Sequence, residues 1–380
     1  MLHDLTLRPA PRRAGRSPRA AALLALALLA GCRGGSTGDD VVLGFAAPLK
    51  DAYGRNALDG AQLAVKELNA AGGRIRLVVK DDEGDTERAI AVAQELADDP
   101  AVVAVVGHNN SAPTIAAAPL YSAAGLAAVA ISATAPAISE LGPWIFRVAS
   151  SDSANAVELA RVAAARGKKV AVMFANDEYG QELTESFTAA LRASGHSVVE
   201  TDPYLEETED FRPYLERLRR RGVDLIFLAG SEQGATTLVP QARALGLDAR
   251  FLGGDGVEGL AARGGVYEGM MIGVLFHPQA SAEARRFAEA FRAAYGREPD
   301  SSAALAYDAV RLLARAAQDG GADRVRIRET LERVGVEGGT PAFEGVAGAI
   351  RFDARGDPVG KRFVVGVARG GRVELEVAAR

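Results

Sequence analysis

The chain has 380 residues, 48% of them hydrophobic and 24% charged, which is the composition of a globular protein with room for two domains. It contains 44 basic residues, 49 acidic residues and a single cysteine, Cys32. The single cysteine excludes an internal disulfide, and the acidic balance without broad basic clusters argues against nucleic acid as a partner.

The first forty residues differ in character from the rest of the chain. A basic stretch, with five arginines between residues 8 and 19, precedes an unbroken apolar run at residues 20–30. The run is shorter than the roughly 20 residues that a membrane-spanning helix needs. A basic flank followed by a short apolar run is typical of a secretory signal peptide, which we assign to residues 1–31.

The apolar run ends in Leu29-Ala30-Gly31-Cys32, which resembles the lipobox of bacterial lipoproteins. The resemblance implies cleavage before Cys32 and lipid on the new N-terminal cysteine, with residues 32–40 as a lipid-anchored polar tether. The alternative is a chance cysteine after an ordinary signal. Loss of residues 1–31 removes five arginines and one aspartate, so 44 basic and 49 acidic residues become 39 and 48, a net charge of −9.

Strand and helix patterns alternate from Val41 onward in two consecutive runs. The first run predicts strands at 41–46, 75–79, 102–106 and 126–131, and helices around 58–68, 86–97 and 114–124. The second run predicts strands at 170–174, 198–201, 225–228 and 251–252, and helices at 155–166, 183–194, 211–221 and 236–245. Such alternation indicates an α/β fold of two lobes, each with a doubly wound parallel sheet.

The C-terminal part of the chain follows a different pattern. Three helices are predicted in succession at 282–295, 302–317 and 325–334. Strands are predicted at 349–352, 363–367 and 372–377, and Gly370-Gly371 suits a tight hairpin between the last two. We expect these elements to be divided between the two lobes.

Ligands of open α/β sheets bind beyond the carboxyl ends of the strands. The strand at 102–106 is followed by Asn109, Asn110 and Ser111, and Ser111 is the predicted N-cap of the next helix. Free amides and a hydroxyl at a helix start favour an anion such as an α-carboxylate. Two interpretations of Ser111 remain equally open: it only caps its own helix, or it also contacts a ligand.

The second run places carboxylates and an aromatic ring at its strand ends. Tyr179 follows the strand at 170–174, and Asp255 lies in the glycine-rich loop after the strand at 251–252. Facing the hydroxyls and amides of the first run, these groups would suit a zwitterion, with Asp255 as the partner of its ammonium. The alternative for Asp255 is a simple turn residue.

Several segments together resemble the branched-chain amino acid binding proteins, which are periplasmic receptors of ABC transporters for hydrophobic amino acids. The resemblance rests on the order and spacing of segments 44–73, 80–85, 106–108, 131–136, 176–180 and 267–270. It extends from about Val41 to the C-terminus. It implies two lobes that close on a ligand, most simply an amino acid, whereas other members of the family receive amides, urea or aromatic acids.

The resemblance also implies roles for residues of the first lobe. Ser111 would bind the ligand carboxylate, with Asn110 adding a polar group beside it. Thr134 would share the carboxylate, and a backbone group near Ser132 or Ala133 would accept from the ammonium.

Three further residues complete the implied site. Tyr179 would line the pocket from the second lobe, Asp255 would take the ammonium, and Tyr53 would form an aromatic wall in the first lobe. The family's three crossovers imply lobe 1 as 41–149 plus 277–358 and lobe 2 as 150–276 plus 359–380.

The expected partners are a small-molecule ligand, an ABC transporter permease and, through the N-terminal lipid, a membrane at the periplasmic or cell-surface side. No cofactor is expected, because the four histidines show no metal spacing and the glycine-rich loop lacks the dinucleotide pattern. One rival is a sensing or assembly protein with the same fold. The other is an anchored enzyme, for which we find no activated nucleophile.

Overall fold

The computed structural model describes residues 40–375. The predicted signal peptide, Cys32 and most of the predicted tether lie outside the described residues, as do the last residues of the chain, 376–380.

The first half of the described chain forms a parallel five-stranded sheet, called here the first sheet. Its strands are β1 (Val41–Ala47), β2 (Ile75–Asp81), β3 (Val102–Val106), β4 (Ala127–Ala130) and β5 (Ile145–Arg147). The helices between them are α1 (Ala52–Ala70), α2 (Thr86–Asp98) and α3 (Ser111–Ala123). The strand order is β2-β1-β3-β4-β5, and every neighbouring pair is parallel.

The second half forms a seven-stranded sheet, called here the second sheet. Its parallel strands are β6 (Val170–Ala175), β7 (Val198–Tyr204), β8 (Leu225–Ala229), β9 (Arg250–Gly253) and β10 (Met271–Val274). Helix α4 (Asp152–Arg166) precedes β6. The connecting helices are α5 (Glu178–Ala193), α6 (Arg212–Arg221), α7 (Glu232–Ala244) and the short α8 (Leu260–Arg263).

The C-terminal elements are shared between the two sheets. They are α9 (Ala282–Tyr295), α10 (Ser301–Gly320), α11 (Arg324–Glu332), the small hairpin β11 (Phe343–Gly345) and β12 (Gly348–Ile350), and the strands β13 (Val364–Arg369) and β14 (Arg372–Leu375). Helix α10 packs against α1 and the first sheet, whereas β13 pairs antiparallel with β10 and completes the second sheet. The chain therefore passes between the sheets three times.

Burial explains why the strands read as continuous apolar runs in the sequence. All five residues of β3 are buried, and so are all five of β8, because helices cover both faces of each sheet. The predicted fold class, α/β with doubly wound parallel sheets, is confirmed.

Several boundaries differ from the sequence prediction. Helices α4, α5 and α7 begin three to five residues earlier than predicted, because their first turns are acidic and polar and show no apolar periodicity. Strands β5, β10 and β11, each of only three or four residues, were not predicted. Such short strands depend on pairing with neighbours rather than on a local pattern.

Helices α1 and α10, which are far apart in sequence, pack closely against each other. A Cβ atom added to Gly60 would lie 2.0 Å from the carbonyl oxygen of Ala303, so only glycine allows this contact. Within residues 40–375, no helix is both long enough and apolar enough to span a membrane.

Candidate ligand-binding site

A cavity of about 560 Å³ opens where the carboxyl ends of both sheets meet, a volume within the range of roughly 300–1,000 Å³ of small-molecule sites. The lining residues are Pro48, Lys50, Asp51, Ala52, Tyr53, Arg55, Gly84, Asn109, Asn110, Ser111, Ala112, Pro113, Ser132, Asp177, Tyr179, Ser231, Glu232, Gln233, Thr236, Asp255, Gly256 and Arg263. Six of the eight binding residues predicted from the sequence are among them. Ala133 and Thr134 are not.

The start of helix α3 forms one wall of the cavity. The N-cap residue is Asn110, with extended backbone angles (φ −106°, ψ 155°), so the prediction that Ser111 is the cap was wrong by one residue. Both residue types cap helices well, and the sequence did not show which of them remains extended. The Asn110 side chain makes no capping hydrogen bond, and the Ser111 hydroxyl accepts from the Ala135 N–H at 3.2 Å. The first turn of α3 thus has no side-chain cap and offers its amides to an anion.

The segment after β4 contributes one lining side chain. Ser132 reaches the cavity, and its buried hydroxyl has no hydrogen-bond partner among the described residues. Thr134 is fully buried and donates its hydroxyl to a carboxylate oxygen of Asp152 at 2.9 Å. The backbone N–H of Asp152 donates in turn to the carbonyl of Thr134 at 2.8 Å. Thr134 therefore holds Asp152 in place, and its direct contact with a ligand stays a prediction.

Asp255 lies on the opposite wall, in the turn that follows β9. Its side chain is only 3% exposed, and the hydroxyl of Tyr179 donates to its carboxylate at 2.9 Å. The neighbouring glycines make this contact possible, because a Cβ atom on Gly254 would lie 2.5 Å from the Tyr179 hydroxyl oxygen. Asp255 is thus a rigidly held acceptor at the cavity surface.

Asp152 and Asp255 influence each other electrostatically. Burial and, after it, the charge of Asp255 raise the pKa of Asp152 to about 8, against hydrogen bonds from Thr134 and Asn155 that lower it. Burial likewise raises the pKa of Asp255 to about 6, against the hydrogen bond from Tyr179, which lowers it. Two buried carboxyl groups with raised pKa values attract a cation, since a positive charge beside them would let both ionise.

Tyr53 lies on the first-sheet side of the cavity. Its buried hydroxyl has no hydrogen-bond partner among the described residues. Burial raises the pKa of this hydroxyl well above its usual range, the charge of Asp255 raises it further, and the nearby Ser132 hydroxyl, although it forms no regular hydrogen bond here, lowers it. Tyr53 is therefore a neutral aromatic wall at neutral pH.

His108, the histidine closest to the site in sequence, has a structural role. Its Nδ1 lies 2.6 Å from a carboxylate oxygen of Asp82, and its Nε2 lies 2.9 Å from the hydroxyl of Tyr121. All three side chains are buried. His108 thus connects Asp82 and Tyr121 and is not among the lining residues of the cavity.

Sequence reasoning missed several lining residues. Lys50, Asp51 and Arg55 follow β1, and the rule that sites lie at carboxyl ends of strands could have found them. Asn109 was noticed but not counted among the binding residues. Asp152, which is buried and is not itself a lining residue, could not be found, because its interaction with Asp255 joins elements about one hundred positions apart in the chain.

Comparison with known proteins shows one family. Residues 41–372 match the family described as periplasmic binding protein. A protein of Pseudomonas aeruginosa named amino acid binding protein is 32% identical over 334 residues, which cover 84% of this chain and 87% of that protein. The Leu/Ile/Val-binding protein homolog 1 of Brucella suis biovar 1 is 30% identical over 339 residues, which cover 86% of this chain and 89% of the other.

The fold also matches solved structures. An ABC transporter substrate-binding protein from Desulfitobacterium hafniense, crystallised in complex with Leu, superimposes with a TM-score of 0.76 at 32% identity. The match covers 88% of this chain and 99% of that one.

Proposed function

The chain belongs to the family of periplasmic binding proteins, and from this premise we propose that it binds a free α-amino acid and presents it to an ABC importer. The observation that carries the proposal is the placement of a buried carboxylate, Asp255, opposite the uncapped start of helix α3 in one cavity. An α-amino acid has the complementary pair of charges. The names of the relatives, which refer to amino acids, support the same ligand class.

The α-carboxylate of the ligand would lie at the start of α3. It would accept from the free first-turn amides and from the hydroxyl of Ser111, with Asn110 beside it. Charge-assisted hydrogen bonds of this kind are stronger than neutral ones.

The ammonium group would lie against Asp255, whose orientation is fixed by Tyr179. An ammonium there would also favour ionisation of the buried Asp152, whose charge would then add to the attraction, and Ser132 and Tyr53 offer further oxygens to the cavity. Desolvation of an ammonium is costly without such partners.

Ligand capture would proceed by closure of two lobes. We assign residues 41–149 and 277–358 to lobe 1, and residues 150–276 and 359–380 to lobe 2. The three connections between the sheets would then form the hinge. Closure excludes water, which strengthens the charged contacts to the ligand. The site would bind and release its ligand without chemical change.

Export and anchoring complete the proposal. We infer an extracytoplasmic protein held to a membrane by lipid on Cys32, because the sequence Leu29-Ala30-Gly31-Cys32 ends an apolar segment of signal-peptide length. An anchored receptor would stay close to its permease.

A thermal-shift screen of the full-length protein in mild detergent tests the ligand class. The protein would first be freed of bound ligand and then tested with each of the common amino acids, with urea and with benzoate. A ligand that binds only the folded state adds about 2.7 kcal/mol of stability at one hundred times its Kd. Stabilisation by amino acids supports the proposal. Stabilisation by urea or benzoate alone would replace it with another ligand class.

A further inference from the structure

The cavity wall has a composition that bears on the ligand side chain. None of the described residues that line it is Leu, Ile, Val, Met, Phe or Trp. Its apolar surface comes from small residues, from two prolines, from the rings of Tyr53 and Tyr179 and from the aliphatic parts of longer polar side chains. A branched aliphatic side chain would therefore meet no aliphatic side chain of its own kind in this wall.

Three buried polar groups among the described residues of the wall have no partner, and one of them is the side-chain amide of Asn109. Asn109 is 1% exposed and lines the cavity, and its Nδ2 atom has no hydrogen-bond acceptor among the described residues. The Oδ1 atom of the same side chain accepts from the hydroxyl of Ser302 at 3.0 Å, in the first turn of α10. In the structure the amide oxygen faces the Ser302 hydroxyl, and the atom without a partner is the donor Nδ2.

The chemistry of that donor restricts what can satisfy it. An amide N–H₂ group can only donate, unlike the hydroxyls of Tyr53 and Ser132, which are also buried without partners. A complex in which this buried donor has no acceptor is weakened by the cost of leaving the donor unpaired. A ligand that brings an acceptor oxygen to Asn109 would satisfy this donor.

We propose that Asn109 selects α-amino acids whose side chain carries a hydrogen-bond acceptor, in preference to branched aliphatic ones. This inference rests on the proposed function, since it assumes that the α-carboxylate and ammonium are bound at Ser111 and Asp255. The α-carboxylate is already provided with the free amides of α3, which leaves the Asn109 donor for the side chain.

Leucine and asparagine are suited to the test, because their side chains have nearly the same shape and differ in polarity. Calorimetric titration of the full-length protein would compare leucine with asparagine, glutamine and threonine. We expect at least one of the three polar ligands to bind about tenfold or more tightly than leucine. Bound leucine has no side-chain acceptor and would leave the Asn109 donor unpaired. This comparison uses the unaltered protein and does not depend on the folding of a variant.

The substitution Asn109→Leu then assigns the effect to this residue. It should reduce affinity for the preferred polar ligand by about tenfold or more and should reduce leucine affinity less, or increase it. The matched control is Asn176→Leu, at an exposed asparagine that does not line the cavity, which should leave both affinities unchanged.

The outcomes separate the two levels of the argument. Tightest binding of leucine would overturn the selectivity inference and leave the proposed function intact. An equal loss for polar and aliphatic ligands in Asn109→Leu would also overturn it, because the donor would then serve the shared α-carboxylate. Failure of every amino acid to bind would overturn the proposed function and this inference with it.

Discussion

Replacement of Asp255 by asparagine should weaken ligand binding and, at the same time, stabilise the empty protein. Asparagine keeps the volume of the side chain and an oxygen that accepts from Tyr179, but it removes the negative charge. Removing one partner of a buried ion pair costs about 3–5 kcal/mol. Because Asp152 remains nearby, we take the lower value, about 3 kcal/mol, which corresponds to roughly 150-fold in Kd.

The stability effect has the opposite sign and depends on pH. Burial raises the pKa of Asp255 from 3.8 to about 6, so its contribution to stability is fully present below the unfolded value and is lost as pH rises through about 6. At about 1.36 kcal/mol per pKa unit, the ionised carboxylate costs about 3 kcal/mol at about pH 8. The variant lacks this cost. Its advantage in free energy of unfolding should therefore be about 3 kcal/mol at about pH 8 and decline to about 1 kcal/mol at about pH 4.5.

Urea denaturation of the ligand-free proteins at both pH values measures the stability, and calorimetric titration measures the affinity. The control is Asp248→Asn, at an exposed position outside the cavity, which should change the free energy of unfolding by less than about 0.5 kcal/mol. Unchanged affinity in Asp255→Asn would remove Asp255 from the site. A variant less stable than the wild type at about pH 8 would refute the reasoning about the buried charge.

Two other changes test features away from the cavity. Cys32→Ser should move the protein from the membrane fraction to the soluble fraction, because it removes the thiol on which we propose the lipid, and retention in the membrane fraction would contradict the proposed anchor. Asp308→Ala should lower the free energy of unfolding by about 3 kcal/mol in urea denaturation, because its buried carboxylate accepts from the N–H groups of Val346 and Ala347, at 2.8 and 2.9 Å, and lies near Lys361. A loss below about 1 kcal/mol would show that water replaces these partners.

The sequence predicts most of the fold because its strands are buried on both faces. The apolar run Val102–Val106 stands out between polar loops, and its predicted bounds agree with β3 residue for residue. Helix starts were predicted less well. Residues such as Glu178 and Glu232 belong to first turns, where acids are favoured by the helix dipole and apolar periodicity is absent.

The candidate site was predictable only in part, for a similar reason. The rule for carboxyl ends of strands brought Ser111, Tyr179 and Asp255 together, and all three line the cavity. The partner of a buried hydroxyl, however, depends on packing between distant elements. The bond from Thr134 to Asp152 is such a case, and no local pattern in the sequence predicts it.

The contact between α1 and α10 has a consequence for how the molecule folds. About 240 residues separate Gly60 from Ala303, yet the two helices touch closely enough to exclude a methyl group. The apolar side of α1 and part of the first sheet are therefore covered only after residues 301–320 have been made. Contacts between parts so distant in sequence form slowly. The first sheet therefore cannot complete its packing until the C-terminal third of the chain has been made. Such a delay would help to keep the chain unfolded during transport across a membrane.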